Sequence, residues 1–231
     1  MITLTHFDWQ TPIEFDKNLQ CLIMENPECF YETVNKLNKA IGGEDCGFIL
    51  TDERQKEFTI SKSVDMICDY VALSLNDKKI LTPLYKKLQT EYTEYDLERE
   101  FAELQWQGMR LLDSIIFRSD FDLIYGDGIT ISDLFKVFDL RVNDEYISPI
   151  EKIVSYVNVK SSLSNVKLLI LVNASCYFKK EELNEIAKHC EYKKIAVLLI
   201  ESAVKSDLPC EKVRVIDRDL CEFTLAISEQ V

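Results

Sequence analysis

With 231 residues and 47% apolar content, the chain is long enough to bury a core of its own, which excludes global disorder. Six glycines and five prolines leave no obvious place for a flexible linker, no stretch is low in complexity, and no internal repeat is present. A formal net charge of −13, from 27 Lys and Arg against 40 Asp and Glu, repels a polyanion at long range, so any nucleic-acid role requires a local gathering of cations.

The opening Met1-Ile-Thr-Leu-Thr-His6-Phe7 has neither a basic patch nor a long apolar run, and no segment approaches the roughly 20 apolar residues of a membrane span. A cytoplasmic protein without membrane association is expected. Eight cysteines occur without a C-x-x-C pair, most beside apolar neighbours, and read as buried thiols in a reducing compartment.

Residues 2–15 alternate apolar and polar around Asp8-Trp-Gln-Thr-Pro12 and predict a hairpin; Gln20 to Met24 predicts a buried strand. Asn26-Pro27 opens a helix whose Phe30, Val34, Leu37 and Ile41 share a face, and Gly42-Gly43 stops it. Short strands follow at Gly47 to Leu50 and Val64 to Cys68. From Lys79 the spacing becomes helical, and Leu97, Phe101, Leu104, Leu111, Leu112, Ile115 and Ile116 predict one long amphipathic helix over 91–118, its stripe read as core or helix packing. After a polar break at 119–128, Thr130-Ile-Ser-Asp133 resembles a capping box opening a helix to Leu140, and another helix is expected from Pro149 to Lys160.

The last third returns to α/β logic. Lys167-Leu-Leu-Ile-Leu-Val-Asn173 and Ile195-Ala-Val-Leu-Leu-Ile200 are nearly continuous apolar runs typical of buried parallel strands, joined by a helix from Lys180 to His189. Strands at Val213 to Ile216 and Phe223 to Leu225 complete the pattern. The fold expected is an α/β head, residues 1–75 and 161–231, interrupted by an inserted α-helical leg, residues 76–160.

Charge is uneven along the chain. Residues 150–200 hold eight lysines against five glutamates and no aspartate, a local +3 that leaves −16 elsewhere. On the residues alone, a solvated face is the preferred account of such a run.

An α/β head raises the question of nucleotide binding. The turn after the Gln20 to Met24 strand is Glu25-Asn-Pro-Glu-Cys29, with no glycine, no lysine and two carboxylates, so no phosphate loop and no nucleotide cofactor are expected. No G-x-S-x-G occurs, and His6 and His189 lie far apart in ordinary surroundings. Asp120, Asp122 and Asp127, with Gly126 and Gly128 between and after them, supply hard oxygen ligands suited to calcium, and Asp133 either adds a ligand or caps its helix. The spacing departs from an EF-hand, and by composition alone an ordinary polar turn is the better explanation.

Lys167-Leu-Leu-Ile-Leu-Val-Asn-Ala-Ser-Cys-Tyr-Phe178, then Glu181-Glu-Leu183 and Ala196-Val-Leu-Leu-Ile-Glu201, resemble the Csn-two family of type II-A CRISPR systems. Asp120-Phe-Asp-Leu123, Asp127-Gly-Ile129 and Asp133-Leu-Phe135 are similar to that family's acidic calcium segment, and Thr11-Pro-Ile-Glu14 to its opening hairpin. The resemblance rests on the order of elements across essentially the whole chain. It implies a P-loop-like (Rossmannoid) head stripped of its phosphate loop, a non-enzymatic homotetrameric ring with a lysine-lined hole around double-stranded DNA entering from linear ends, and calcium held at an acidic hinge. It further implies a part in spacer acquisition beside the CRISPR integrase complex and the effector nuclease. Under it the metal ligands are Asp120, Asp122, Asp127 and Asp133, and Lys160, Lys167, Lys179 and Lys180 line the hole. Arg118-Ser119 ahead of Asp120, and Leu123-Ile-Tyr125 within the acidic run, depart from the family pattern. Two other readings remain: a metal-dependent nuclease or phosphohydrolase using Asp120, Asp122 and Asp127, and a protein-binding scaffold whose lysines are plain surface.

Overall fold

The computed structural model describes residues 1–145 and 148–227. They divide into two compact units, Met1–Leu73 with Glu145–Val231, and Ser74–Asp144.

In the first unit, β1 (Ile2–His6), β2 (Ile13–Glu14), β4 (Phe48–Asp52) and β5 (Glu57–Phe58) form a small antiparallel sheet in the order β2-β1-β4-β5. β3 (Leu19–Met24), β6 (Val64–Ile67), β7 (Leu168–Val172), β8 (Ala196–Glu201) and β9 (Lys212–Ile216) run parallel, and β10 (Glu222–Ala226) adds an antiparallel edge, giving the order β10-β9-β3-β8-β7-β6. This is the P-loop-like α/β architecture expected. Every residue of β7 and β8 is buried, because helices or the second sheet cover both faces of the central strands. Leu22, Met24, Leu168, Ile170, Val172, Leu198 and Ile200 pack with Leu4, Phe48 and Leu50 of the small sheet and with Leu37 of α1 (Pro27–Ile41). The alternate strand residues face the side covered by α7 (Lys180–Tyr192). A single turn, α2 (Ile60–Ser63), leads into β6.

The Ser74–Asp144 unit contains α3 (Lys78–Glu94), α4 (Glu98–Phe117) and α5 (Ile131–Val137). The helix expected over 91–118 is therefore broken: Asp96 adopts φ 55 between the two helices, a left-handed residue that ends the first ladder. Helix α5 stops at Val137 rather than Leu140, with Asp139 at φ 47. Asn76 closes this unit on itself by donating to the Val142 carbonyl at 3.0 Å and accepting from the Val142 amide at 2.9 Å.

One boundary differs from expectation. The helix α6 (Pro149–Leu163) falls mostly within the helical leg expected over 76–160, yet it belongs to the α/β unit. Its Ile153, Tyr156 and Val157 are buried, the Tyr156 hydroxyl donates to Asp65 of β6 at 2.6 Å, and its Asn158 side chain meets His189 of α7 at 3.0 Å.

His6, 7% exposed at the end of β1, uses both ring nitrogens: Nε2–H donates to the Cys46 carbonyl at 3.0 Å, and Nδ1 accepts from the Asp8 amide at 3.2 Å. Burial is the main cause of a pKa below the usual histidine value, offset in part by Cys46 and Asp8. The folded ring therefore binds its proton less readily than the unfolded one. Its contribution to stability is complete above about pH 6.5 and is lost as pH falls through the lowered folded value. His6→Gln should flatten the decline in melting temperature between about pH 7 and 5; an unchanged slope would assign that decline to other groups.

Candidate nucleic-acid interface

The register of the parallel sheet places lysines side by side that are far apart in sequence. Val64 pairs with Leu168 and Leu168 with Ala196, so Lys62, Lys167 and Lys194 each stand one or two residues ahead of adjoining strands. Backbone bonds tighten the alignment: the Lys167 amide donates to the Ser63 carbonyl at 2.7 Å, and the Lys167 carbonyl accepts from Ala196 at 2.9 Å. Leu19 pairs with Val197, which carries the row on to Lys17, and β9 begins with Lys212. With neighbouring strands about 4.8 Å apart, the five lysines line the amino edge of the sheet over roughly 20 Å. Lys17, Lys62, Lys194 and Lys212 are exposed and Lys167 is half-buried.

Lys188 joins them where a cleft of about 970 Å³ is lined by Lys17, Lys188 and Lys212, together with Glu191 and Glu211. Acidic neighbours temper the patch, for Lys17 pairs with Glu211 at 2.9 Å. Part of the row has a structural role of its own, since Lys62 lies in the last turn of α2 and Lys193 and Lys194 follow α7, where cations complement the helix dipole. That interaction leaves the exposed ammonium groups in solvent, still able to meet a phosphate.

The four lysines expected to line the hole are not brought to one edge of the sheet within the chain. Lys160 is only 19% exposed in its side chain and pairs with Asp65 at 3.1 Å, so its charge is spent inside the unit. Lys179 and Lys180 begin α7 at the carboxyl ends of the strands, the opposite edge from Lys167, with the length of β7 between them. Lys167 alone of the four belongs to the row. Sequence reasoning missed Lys17, Lys62, Lys194 and Lys212, although a lysine one or two residues before an apolar strand is a legible sign in several of them.

At the carboxyl edge, the position of a phosphate loop is filled by Glu25-Asn26 ahead of α1. The Asn26 side chain accepts from the amides of Glu28 and Cys29 at 3.0 and 3.1 Å, and Pro27 has no amide. The donors that would hold a phosphate are thus already used, beside two carboxylates. Glu201, 1% exposed at the end of β8, accepts from the Ser175 amide at 3.0 Å and from its hydroxyl. Desolvation pushes its pKa above the usual carboxyl range, against the pull of those bonds and of Lys205.

The acidic segment does not fit a calcium ion within one chain. Asp120, Asp122 and Asp127 lie exposed along 120–127, and among the described residues no three His, Cys, Asp or Glu side chains converge as a metal site requires. Asp133 is the third residue of α5 and closes a capping box, accepting from the Thr130 amide at 3.1 Å and hydroxyl at 2.6 Å and from Lys136 at 3.1 Å. These bonds, the Thr130 hydroxyl first, hold its pKa down at about 2. A carboxylate so engaged is a cap.

No helix of the described residues is long and apolar enough to cross a membrane. A family model described as CRISPR-associated protein (Cas_Csn2) matches residues 43–220. A CRISPR-associated protein Csn2 from Streptococcus agalactiae is 26% identical over 171 residues, 74% of this chain and 75% of that one. Another from Enterococcus faecalis is 22% identical over 196 residues, 84% of this chain and 87% of that one. The crystal structure of Stu0660 of Streptococcus thermophilus superposes with a TM-score of 0.58 at 13% identity, covering 98% of this chain and 76% of the other, and shows the shared fold. A match over that much of the sequence, on an α/β unit whose phosphate-loop position is closed by Asn26, establishes that the chain belongs to the Csn2 family of CRISPR-associated proteins.

Proposed function

We propose that this chain binds double-stranded DNA without sequence preference and without catalysis, as a closed homotetramer that threads onto linear duplex from its ends during type II-A spacer acquisition, beside the CRISPR integrase and the effector nuclease. The observation that carries the reading is the lysine row at the amino edge of the sheet, Lys212, Lys17, Lys194, Lys167 and Lys62 in spatial order. Strand-aligned ammonium groups give phosphate contacts that position a duplex and carry no base information. An acidic protein can hold DNA this way, because the potential at a phosphate is set mainly by charges within a Debye length of roughly 10 Å.

Support for assembly comes from the helical unit. No residue of α4 is buried; along one face of the helix Leu104 is 44% exposed, Leu111 63% and Ile115 51%, an apolar stripe of the kind that marks an interaction surface. The stripe read from sequence as core or helix packing therefore fits packing against another subunit. The carboxylates of the acidic segment do not converge, which weighs against hydrolysis through a bound metal. No step of the reading runs through calcium.

The deciding experiment compares linear with closed circular duplex of one sequence across a salt series. Linear duplex should bind, with log K falling by about 0.9 per phosphate contact for each decade of salt, and the closed circle should be excluded. Equal binding of both forms removes the ring, and no shift at low salt removes DNA.

A further inference from the structure

The sheets of the α/β unit protect most of their edges. β2 and β5 are two residues long, and β6 carries Asp65, which binds Tyr156 and Lys160 of α6. β10 has no such protection. It is five residues long, Glu-Phe-Thr-Leu-Ala, without lysine, proline or a break in its register against β9, and its last four residues are exposed. A long edge strand with unpaired backbone groups is a template for another strand unless something blunts it.

The groups that face outward can be named. The Asp217 amide donates to the Cys221 carbonyl at 3.0 Å and the Ile227 amide to the Glu211 carbonyl at 2.8 Å, so residues 221, 223, 225 and 227 bond toward β9. By antiparallel alternation, Glu222, Thr224 and Ala226 turn their N–H and C=O groups to the open side. No other backbone bond of the described residues reaches them.

We propose that β10 pairs antiparallel with β10 of a second copy of this chain across a two-fold axis at Thr224, joining the two large sheets into one. The proposal rests on the homotetramer reading and assigns one of its interfaces. The strand is self-complementary about that axis. Thr224 meets Thr224 of the partner subunit, Glu222 meets Ala226 of the partner subunit, and Phe223 meets Leu225 of the partner subunit. The large apolar residues thus oppose each other, hydroxyl opposes hydroxyl, the carboxylate faces the small Ala226 side chain, and no like charges face each other, conditions that favour a cross-strand register. Glu222 adds no repulsion in this otherwise acidic chain, because Arg214 already pairs with it. Of the residues placed opposite one another, Thr224, Glu222 and Ala226 are those whose backbone groups point outward, so they would form the hydrogen-bonded pairs while Phe223 and Leu225 meet in the pair without hydrogen bonds. An isologous contact of this kind closes on itself in a pair, and a second interface elsewhere on the chain would join two such pairs into a tetramer.

Thr224→Pro tests it, since it removes an outward N–H and leaves the ladder to β9 intact. Thr224→Lys and Thr224→Asp each set like charges against each other at the axis, and mixing the two variants sets opposite charges there. Light scattering should show the solution mass of Thr224→Pro, Thr224→Lys and Thr224→Asp at about half that of the parent, with far-ultraviolet circular dichroism unchanged, and an equimolar mixture of the Lys and Asp variants should regain the parent mass. Variants that keep the parent mass overturn this interface and leave the assembly reading intact. Dissociated variants that do not recover on mixing overturn the register at Thr224. A monomeric parent overturns the assembly reading and this interface together, and an edge that captures an unrelated peptide while the parent stays monomeric does the same.

Discussion

Lys62→Glu, Lys167→Glu and Lys194→Glu combined are expected to lower affinity for linear duplex DNA by at least about 10³-fold near 0.1 M salt. Each lysine in contact with a phosphate releases about one counterion on binding, so its loss lowers the salt slope by about 0.9, and reversal of its charge adds direct repulsion. The three stand on adjoining strands, within a Debye length of one another, so a phosphate near the middle of the row feels them all. Stability should change little, because surface substitutions away from packed features usually stay within about 0.5 kcal/mol. The control lies at the other end of the strands: Lys179→Glu with Lys180→Glu alters the same formal charge per residue at the carboxyl edge. That pair should leave both affinity and salt slope near those of the parent. If instead it abolishes binding while the amino-edge triple does not, the interface is on the wrong side of the sheet.

The contrast shows what the sequence could convey. β7 and β8 were legible because strands buried on both faces must be continuously apolar, and α1 because Asn26, Pro27 and Gly42 mark its ends. The break between α3 and α4 was not, since Asp96 takes its left-handed conformation without the glycine that usually announces one. Nor could periodicity say which unit α6 would join: a stripe of Ile153, Tyr156 and Val157 suits a sheet as well as a helix bundle. The lysine row depends on strand register, and the order β9-β3-β8-β7-β6 cannot be read along the chain. For the acidic segment composition supplies ligand types and says nothing of whether they converge within one chain, whereas the capping role of Asp133 is written in the Thr130-to-Asp133 spacing.

Lys160 offers the second large effect, and its sign separates a structural cation from a binding one. Its ammonium lies 3.1 Å from Asp65 Oδ2, which also accepts from the Tyr156 hydroxyl at 2.6 Å, and it sits over the Tyr156 ring at 5.6 Å. The two charged side chains are 19% and 14% exposed, so the pair is largely withdrawn from water. Asp65→Ala should destabilise the protein by about 2 kcal/mol, because it leaves a half-buried ammonium without its counterion and takes an acceptor from Tyr156. For a chain of this length that is a fall in melting temperature of roughly 5 °C. Lys160→Met alone should cost less, since Asp65 keeps the Tyr156 bond, and Asp65→Leu with Lys160→Met should recover much of the loss by replacing the pair with apolar volume. A double-mutant cycle then isolates the coupling between the two positions. In DNA binding the same Lys160→Met should match the parent in affinity and salt slope, whereas Lys167→Ala lowers both. A Lys160→Met protein that melts like the parent but binds duplex weakly would return Lys160 to the interface, and with it would require β6 and α6 to release Asp65 when DNA arrives.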